Sequence, residues 1–569
     1  MFGKLILMEI NDRVKHVNIK IKQYNIKNYL FLLIANFLLH GFILIASGRW
    51  WDDWAFINES DYALHKFAFD IGRPSIYFLF KFFKIFPEHF YRIVVFIMFY
   101  YCSISFFKIL TYFINLNEKF SIWLTIFFIC TPVNAERIMF IILPYTVGLF
   151  FFMIASDIFL NYFLESRKLF LRIISLVIFC LSFTLNSLLF FYGIILLMVL
   201  YKYKNFNCLT GLIDFILLPI IFYLLKTQLF ATGGLYANYN SISIISLIKA
   251  IWFSMPFSVI ETCEILMNLF IDNKVCFVVV FSILSITVIV LEWKNIVSVF
   301  RSSINKKQIN SFYKLNAVDS FDIKKCIILL TIGFFVICIA LFPYIAVRNS
   351  IIDTGRDAML VPFGFSVVAF SVINILFNKH SIKWAYLTLL FLSIFYFNQT
   401  YLKYQNNFYR MVSFQESIKE NDFMQDYNTA LYITNEIPNL NLTRFYTLSA
   451  AYNEVTGKQD KFFLASTNDF YYFGEDGGKL LKQVVDSKNY HMDDYNTEYK
   501  KLDTIILHKF DSSLLSTVKL KFYEIFNYDK FLSEIKELTY LELYHSDTQE
   551  YKNIISSNGD YRIICEYLQ

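Results

Sequence analysis

The chain has 569 residues, of which 57% are hydrophobic, 20% aromatic and only 17% charged, and its formal net charge is +6. Soluble globular domains carry about a quarter charged residues, so this composition excludes an ordinary soluble protein, a disordered chain and a collagen-like one. A charge of +6 over this length is also too weak to mark a nucleic-acid binder.

The first 28 residues are polar and basic, with Lys4, Arg13, Lys15, Lys20, Lys22 and Lys27. An apolar run from Tyr29 to Ser47 follows. Its basic flank is too long for a cleaved signal, so it reads as a retained first helix with the N-terminus in the cytoplasm and the residues after Ser47 outside. Further apolar runs at about 89–114, 120–141, 143–164, 169–185, 187–201, 211–230, 275–293, 326–346, 358–377 and 384–400 have the length and hydropathy of membrane spans. The connections expected inside carry Arg167-Lys168, Lys202 and Lys204, Lys294 to Lys325, and Lys379 and Lys383, as the excess of cytoplasmic lysine and arginine requires. Eleven spans result by this reading, with the N-terminus inside and the C-terminus outside. The apolar segment 242–271 contains Pro256, Glu261 and Glu264 and reads as an interfacial or re-entrant piece.

From residue 401 the composition changes. Residues 401–569 hold 18 Lys and Arg against 25 Asp and Glu, whereas residues 1–400 hold 34 against 21. A helical pattern at about 412–436 alternates with strand-like runs at Arg444-Phe445-Tyr446-Thr447-Leu448, Thr504-Ile505-Ile506-Leu507 and Tyr561-Arg562-Ile563-Ile564. The expected architecture is therefore an α-helical polytopic membrane protein in three parts: a cytoplasmic segment 1–28, a multi-span domain 29–400 with a first external loop at 48–88, and a small extracytoplasmic α/β domain at 401–569. The nine cysteines sit in or beside apolar runs without a C-x-x-C pair, and read as small buried hydrophobes.

The most informative stretch is Gly48-Arg49-Trp50-Trp51-Asp52-Asp53-Trp54 in the first external loop. Tryptophans at a bilayer interface have a bland explanation as an aromatic belt; adjacent carboxylates do not, because both ionise only where water, a metal or a cation compensates their repulsion. Gly72-Arg73-Pro74 follows, and then an amphipathic run from Ser75 to Phe86 that suits a helix lying on the membrane surface. A second cluster, Pro132-Val133-Asn134-Ala135-Glu136-Arg137, places Glu136 and Arg137 in apolar sequence, as a structural ion pair or as site residues. A third, Arg348-Asn349 and Thr354-Gly355-Arg356-Asp357, lies in a late external loop, where an arginine serves as an interfacial anchor or a bidentate phosphate ligand. His40 reads as packed, Gly233-Gly234 as a turn, and Asp493-Asp494 as solvated surface.

The Asp-Asp-Trp element, the Gly-Arg-Pro downstream of it in the same loop, and the late Gly355-Arg356 resemble membrane glycosyltransferases of the GT-C superfamily. The nearer resemblance is to the bacterial O-antigen glucosyltransferases of the serotype-conversion type. The resemblance covers about residues 25–400. It implies a polyprenyl-phosphate-linked sugar donor, a hexose such as glucose, and a surface-glycan acceptor at the outer face of the bacterial cytoplasmic membrane. Partner proteins would be a polyprenyl-phosphate sugar transferase and a small flippase. It implies inverting single displacement with Asp52 or Asp53 as general base, and the other carboxylate positioning the acceptor or holding a divalent cation such as Mg or Mn. Arg356, Arg73 and Arg348 would bind the donor phosphate, with Glu136, Arg137, Trp51 and Trp54 in support. Competing readings are a transporter or flippase for a lipid-linked glycan, an O-antigen polymerase or ligase, and a membrane anchor for a binding module in the tail. The placement of the charges in external loops, rather than at mid-membrane, favours the transferase.

Overall fold

The computed structural model describes residues 26–50, 53–58, 60–163, 168–203, 212–233, 248, 323–348, 355–377, 381–420, 431–432, 445–457, 504–508, 513–538 and 540–544. The segment 242–271, the run at 275–293, the connection preceding 323 and the run Tyr561 to Ile564 lie outside these residues, as do Trp51, Asp52 and the side chain of Arg348.

The described chain is predominantly helical. Helix α1 (Ile26–His40) continues after Gly41 as the single turn α2 (Phe42–Ile45). The first loop holds α3 (Asp53–Asn58), α4 (Asp61–Asp70) and α5 (Pro74–Lys84). Then come α6 (Glu88–Lys108), which runs on through a π-turn, α7 (Glu118–Cys130), α8 (Leu143–Asn161), α9 (Leu169–Ser182), α10 (Asn186–Tyr203) and α11 (Ile213–Leu229). After the undescribed middle come α12 (Ile323–Arg348), α13 (Val361–Leu376) and the long α14 (Ile382–Glu420). The tail adds α15 (Phe445–Thr456), α16 (Leu514–Phe526) and α17 (Tyr528–Lys536). Strands β1 (Leu431–Tyr432), β2 (Thr504–His508) and β3 (Tyr540–Tyr544) form one small sheet, with β2 parallel to β1 and antiparallel to β3.

Among the described residues, three stretches are long and apolar enough to cross a membrane: Glu88–Phe113, Phe140–Asn161 and Ile323–Val347. Shorter apolar helices accompany them at Ile26–His40, Leu169–Ser182, Asn186–Lys202 and Val361–Leu376. Their outer faces present large apolar side chains, among them Ile34, Ile97, Val177 and Ile332, as a chain solvated by lipid would.

Three sequence expectations are corrected. The span at 120–141 is not one helix. Helix α7 stops at Cys130, after which the chain turns through Pro132 and a left-handed Asn134 (φ 57°) into two short 3-10 turns, Ala135–Ile138 and Phe140–Ile142. Proline lacks the N–H that would continue the ladder, and asparagine tolerates the left-handed turn. The run 444–448 is not a strand, since Phe445 opens α15. The boundary drawn at 400 falls inside α14, a continuous helix of 39 residues.

Small residues set the closest crossing. A Cβ on Gly364 would lie 2.6 Å from the Gly333 carbonyl oxygen, so α12 and α13 approach backbone to backbone. The two ends of the bundle are distinct. At one end the Asn28 amide donates to Glu118 Oε2 (3.1 Å), Lys202 Nζ to the Phe113 carbonyl (2.8 Å), and Lys108 faces Asp157 (3.6 Å). At the other end lie the first loop, the turns at 131–142, the segment 355–360 and the tail helices. The His40 ring, bonded to Tyr401 Oη (2.9 Å) and the Ile129 carbonyl (3.2 Å), ties α1, α14 and α7 just below that end, packed as expected.

Candidate functional site

The first loop is held by Arg92 of α6. Its guanidinium is buried, donates to the carbonyls of Ala46 and Gly48, and lies 4.8 Å from the Trp50 ring centroid. The Trp50 indole N–H in turn donates to the Tyr404 carbonyl (2.6 Å). Arg49 points the other way: it pairs with Glu88 (2.7 Å) and with Glu454 of α15 (2.9 Å), and sits 5.5 Å from the Trp54 ring centroid. Trp54 itself is buried between the loop and the tail, with Met411, Phe414 and Leu448. Its amphipathic ring is used for packing here.

Asp53 is fully buried at the start of α3. Its Oδ2 accepts the Trp50 N–H (3.3 Å) and its Oδ1 accepts the Ile141 N–H (2.8 Å). The carboxylate therefore caps the 3-10 turn from which α8 springs. Burial pushes this carboxyl up to about 7, against the pull of the Phe140, Ile141 and Trp50 amides and of Arg92. With N–H donors aimed at it, Asp53 does not fit a divalent cation, which needs oxygen ligands converging on the same point. Among the described residues no three His, Cys, Asp or Glu side chains gather to hold a metal.

Two of the three arginines expected to bind phosphate, Arg73 and Arg356, are brought beside one tyrosine. Tyr145, one helical turn beyond the residue capped by Asp53, lies in the field of Arg356, Arg73 and Asp357. The Arg356 guanidinium carbon lies 5.9 Å from the Tyr145 ring centroid and its Nε 3.8 Å from Asp357 Oδ1. Tyr344 stands beside the same groups and donates to Ser187 Oγ (3.2 Å). A third cation, Lys226 at the end of α11, faces Arg73 while donating to Asn186 Oδ1 (2.6 Å). Residues from the first loop, α8, α10, α11 and the loop before α13 thus meet at one point beside the N-terminus of α8, where the helix dipole also favours an anion.

Local sequence explains why both arginines arrive there. Gly72 takes φ +68° to close α4, donating to the Phe69 carbonyl (2.9 Å), and any Cβ on it would lie 2.6 Å from the Phe230 carbonyl oxygen. Pro74 then starts α5 without needing its missing N–H, and Arg73 is left at the junction. Gly355 plays the matching part in the late loop, since a Cβ there would lie 2.0 Å from Glu136 Oε2. Glu136 is therefore packed against the Gly355-Arg356 turn. Arg137 turns away from it into the bundle, donating to the carbonyls of Asn134 (2.8 Å) and Val133 (3.3 Å) and stacking 3.7 Å from the Phe99 ring centroid.

Tyr145 and Lys226 are the members that sequence reasoning missed. A tyrosine in an apolar run reads as core. Lys226 was available as a signal, because an ionisable side chain in an apolar helix marks a functional or paired position. No family model, curated protein or solved structure matches the chain.

Proposed function

We propose that the chain is a membrane glycosyltransferase that moves a hexose from a polyprenyl-phosphate donor to a surface-glycan hydroxyl at the outer face of a bacterial cytoplasmic membrane. In this reading the bundle spans the membrane eleven times, the end bearing the first loop faces outward, and residues 401–569 form an extracytoplasmic α/β domain. The observation that carries it is the placing of Arg73 and Arg356 beside Tyr145, with Lys226 within electrostatic reach of Arg73. A phosphodiester leaving as a monoester gains negative charge as the sugar departs. Fixed guanidinium and ammonium groups in a site screened from water stabilise that charge without reorganising. The Tyr145 phenol has its own proton to offer to the same oxygens.

The acceptor hydroxyl needs a base, and the adjacent Asp52 and Asp53 supply two carboxyls. Both oxygens of Asp53 are already engaged by backbone N–H groups, so the reading gives Asp53 the holding role and Asp52 the proton. Asp53 fixes the start of α8, and with it Tyr145, relative to the loop that carries Asp52. No step requires ATP or a metal, since the phosphosugar bond supplies the driving force.

The test is transfer from a radiolabelled polyprenyl-phosphate hexose by the full chain in lipid. Asp52→Asn is expected to abolish transfer while leaving membrane insertion intact. Arg356→Ala should raise the donor KM about ten- to hundredfold, the loss of a charge-assisted hydrogen bond, and leave acceptor KM nearly unchanged. Wild-type donor use by an Arg73→Ala, Arg356→Ala double variant would overturn the assignment.

A further inference from the structure

Helix α16 exposes a continuous apolar arc and buries a face that, apart from Leu520, is polar. Thr517 and Lys521 are buried and Glu524 is nearly so, whereas Leu515, Val518, Phe522, Ile525 and Phe526 are between 48% and 79% exposed. At 3.6 residues per turn these five fall within about 100° of arc, separate from the arc that holds Thr517, Lys521 and Glu524. A helix of a water-soluble domain has the reverse pattern.

The buried face explains where the helix sits. Lys521 Nζ donates to Ser47 Oγ (2.8 Å) and to Glu524 Oε2 (2.9 Å), and Glu524 also accepts from Tyr409 Oη (2.6 Å). Ser47 is joined in turn to Gln405 through both its backbone N–H (3.1 Å) and its hydroxyl (3.0 Å). Ser47 closes the first apolar run and Gln405 lies just beyond the last one. The middle of α16 is thus pinned to the level at which both runs leave the apolar zone. Its apolar arc faces away from the bundle at that level, and the neighbouring Ile45 is likewise exposed.

We infer that α16 is an in-plane anchor, lying in the headgroup–acyl boundary of the outer leaflet with Val518, Phe522 and Ile525 against lipid. Such helices bind by the apolar area that they bury at the interface. The tail is then seated on the bilayer and on the first loop together, so that the depth of α15 and of the loop it grips through Arg49 and Glu454 is set by the membrane surface. The inference does not depend on the transferase reading.

The experiment places p-benzoyl-phenylalanine at Phe522 or at Ile525 of the full chain in vesicles of radiolabelled phosphatidylcholine and phosphatidylglycerol. The same substitution at the membrane-facing Ile97 of α6 is the positive control. Irradiation is expected to transfer lipid label to the chain at both α16 positions, to an extent comparable with Ile97. Four results would overturn the anchor: a crosslink to another segment of the same chain, a crosslink to a second copy, capture of a different protein, or no adduct at Phe522 and Ile525 while Ile97 is labelled.

Discussion

A fully buried carboxyl held by amide N–H groups has a charge state that bears on stability. Asp53 in the folded protein is pushed up to about 7 from its ordinary 3.8, with burial the dominant cause. Between those values the folded state holds a proton that the unfolded chain has released. Stability is therefore greatest below the lower value, falls as pH rises through the interval, and levels off above the upper one. The span corresponds to at most about 4 kcal/mol. Asp53→Asn has no such proton to lose. Thermal unfolding of the wild-type chain should weaken from about pH 4 to about pH 8 by more than that of Asp53→Asn; parallel curves would show that the carboxyl stays ionised throughout. The acid pair stands out in the sequence because adjacent aspartates at a membrane edge have no cheap explanation. The cap it forms does not, because the partner amides belong to residues nearly ninety positions away and carry no side-chain signature.

At the scale of elements, what the sequence reveals depends on whether the signal is local. Gly72-Arg73-Pro74 can be read in full: a left-handed glycine closing one helix and a proline opening the next. The break after α7 was equally available in Pro132 and Asn134, but hydropathy alone ran across it, since the turns at 135–142 are as apolar as a helix. The strand-like run at 444–448 failed for a related reason: Leu448 packs with Met411 and Phe414 of α14, and tertiary packing overrode a propensity worth little by itself. Pairing of helices is the part that sequence conceals. Gly333 and Gly364 look unremarkable 31 positions apart, yet they let α12 and α13 touch through their backbones. Gly364→Ala would place a methyl 2.6 Å from a carbonyl oxygen and 2.7 Å from the Ile337 nitrogen, neither of which can rotate aside. Overpacking of this kind costs about 1–3 kcal/mol. Because α13 follows directly on the Arg356 turn, the variant should unfold at lower temperature and also bind donor more weakly. A variant with unchanged melting would mean that the helices slide apart at no cost.

For the whole molecule, α14 decides how the parts communicate. Thirty-nine residues make a rod of about 58 Å, nearly twice the hydrocarbon thickness of a bilayer, so one continuous helix passes from the far end of the bundle into the tail. The tail helices return along its projecting half: α15 through Trp54, Met411 and Phe414, and α17 through Tyr409 and Phe531. The first loop is clamped between this assembly and α6, with Arg49 bridging Glu88 and Glu454. Among the described residues, the groups around Tyr145 come instead from the junction of α4 and α5, from α8 and from the turn before α13. The two halves of the site should therefore separate under truncation. Ending the chain after Glu420 takes Leu448 and the rest of α15 from beside Trp54 and Glu454 from Arg49, and leaves Arg73, Tyr145 and Arg356 in the chain. Such a chain is expected to bind a polyprenyl-phosphate hexose within a few-fold of the full-length affinity but to lose transfer by two orders of magnitude or more, the about 10²-fold or greater penalty of displacing a base from its hydroxyl. Photolabelling with a donor analogue measures the first quantity and product formation the second. Loss of both together would instead make the tail the seat of the activity and the bundle its anchor.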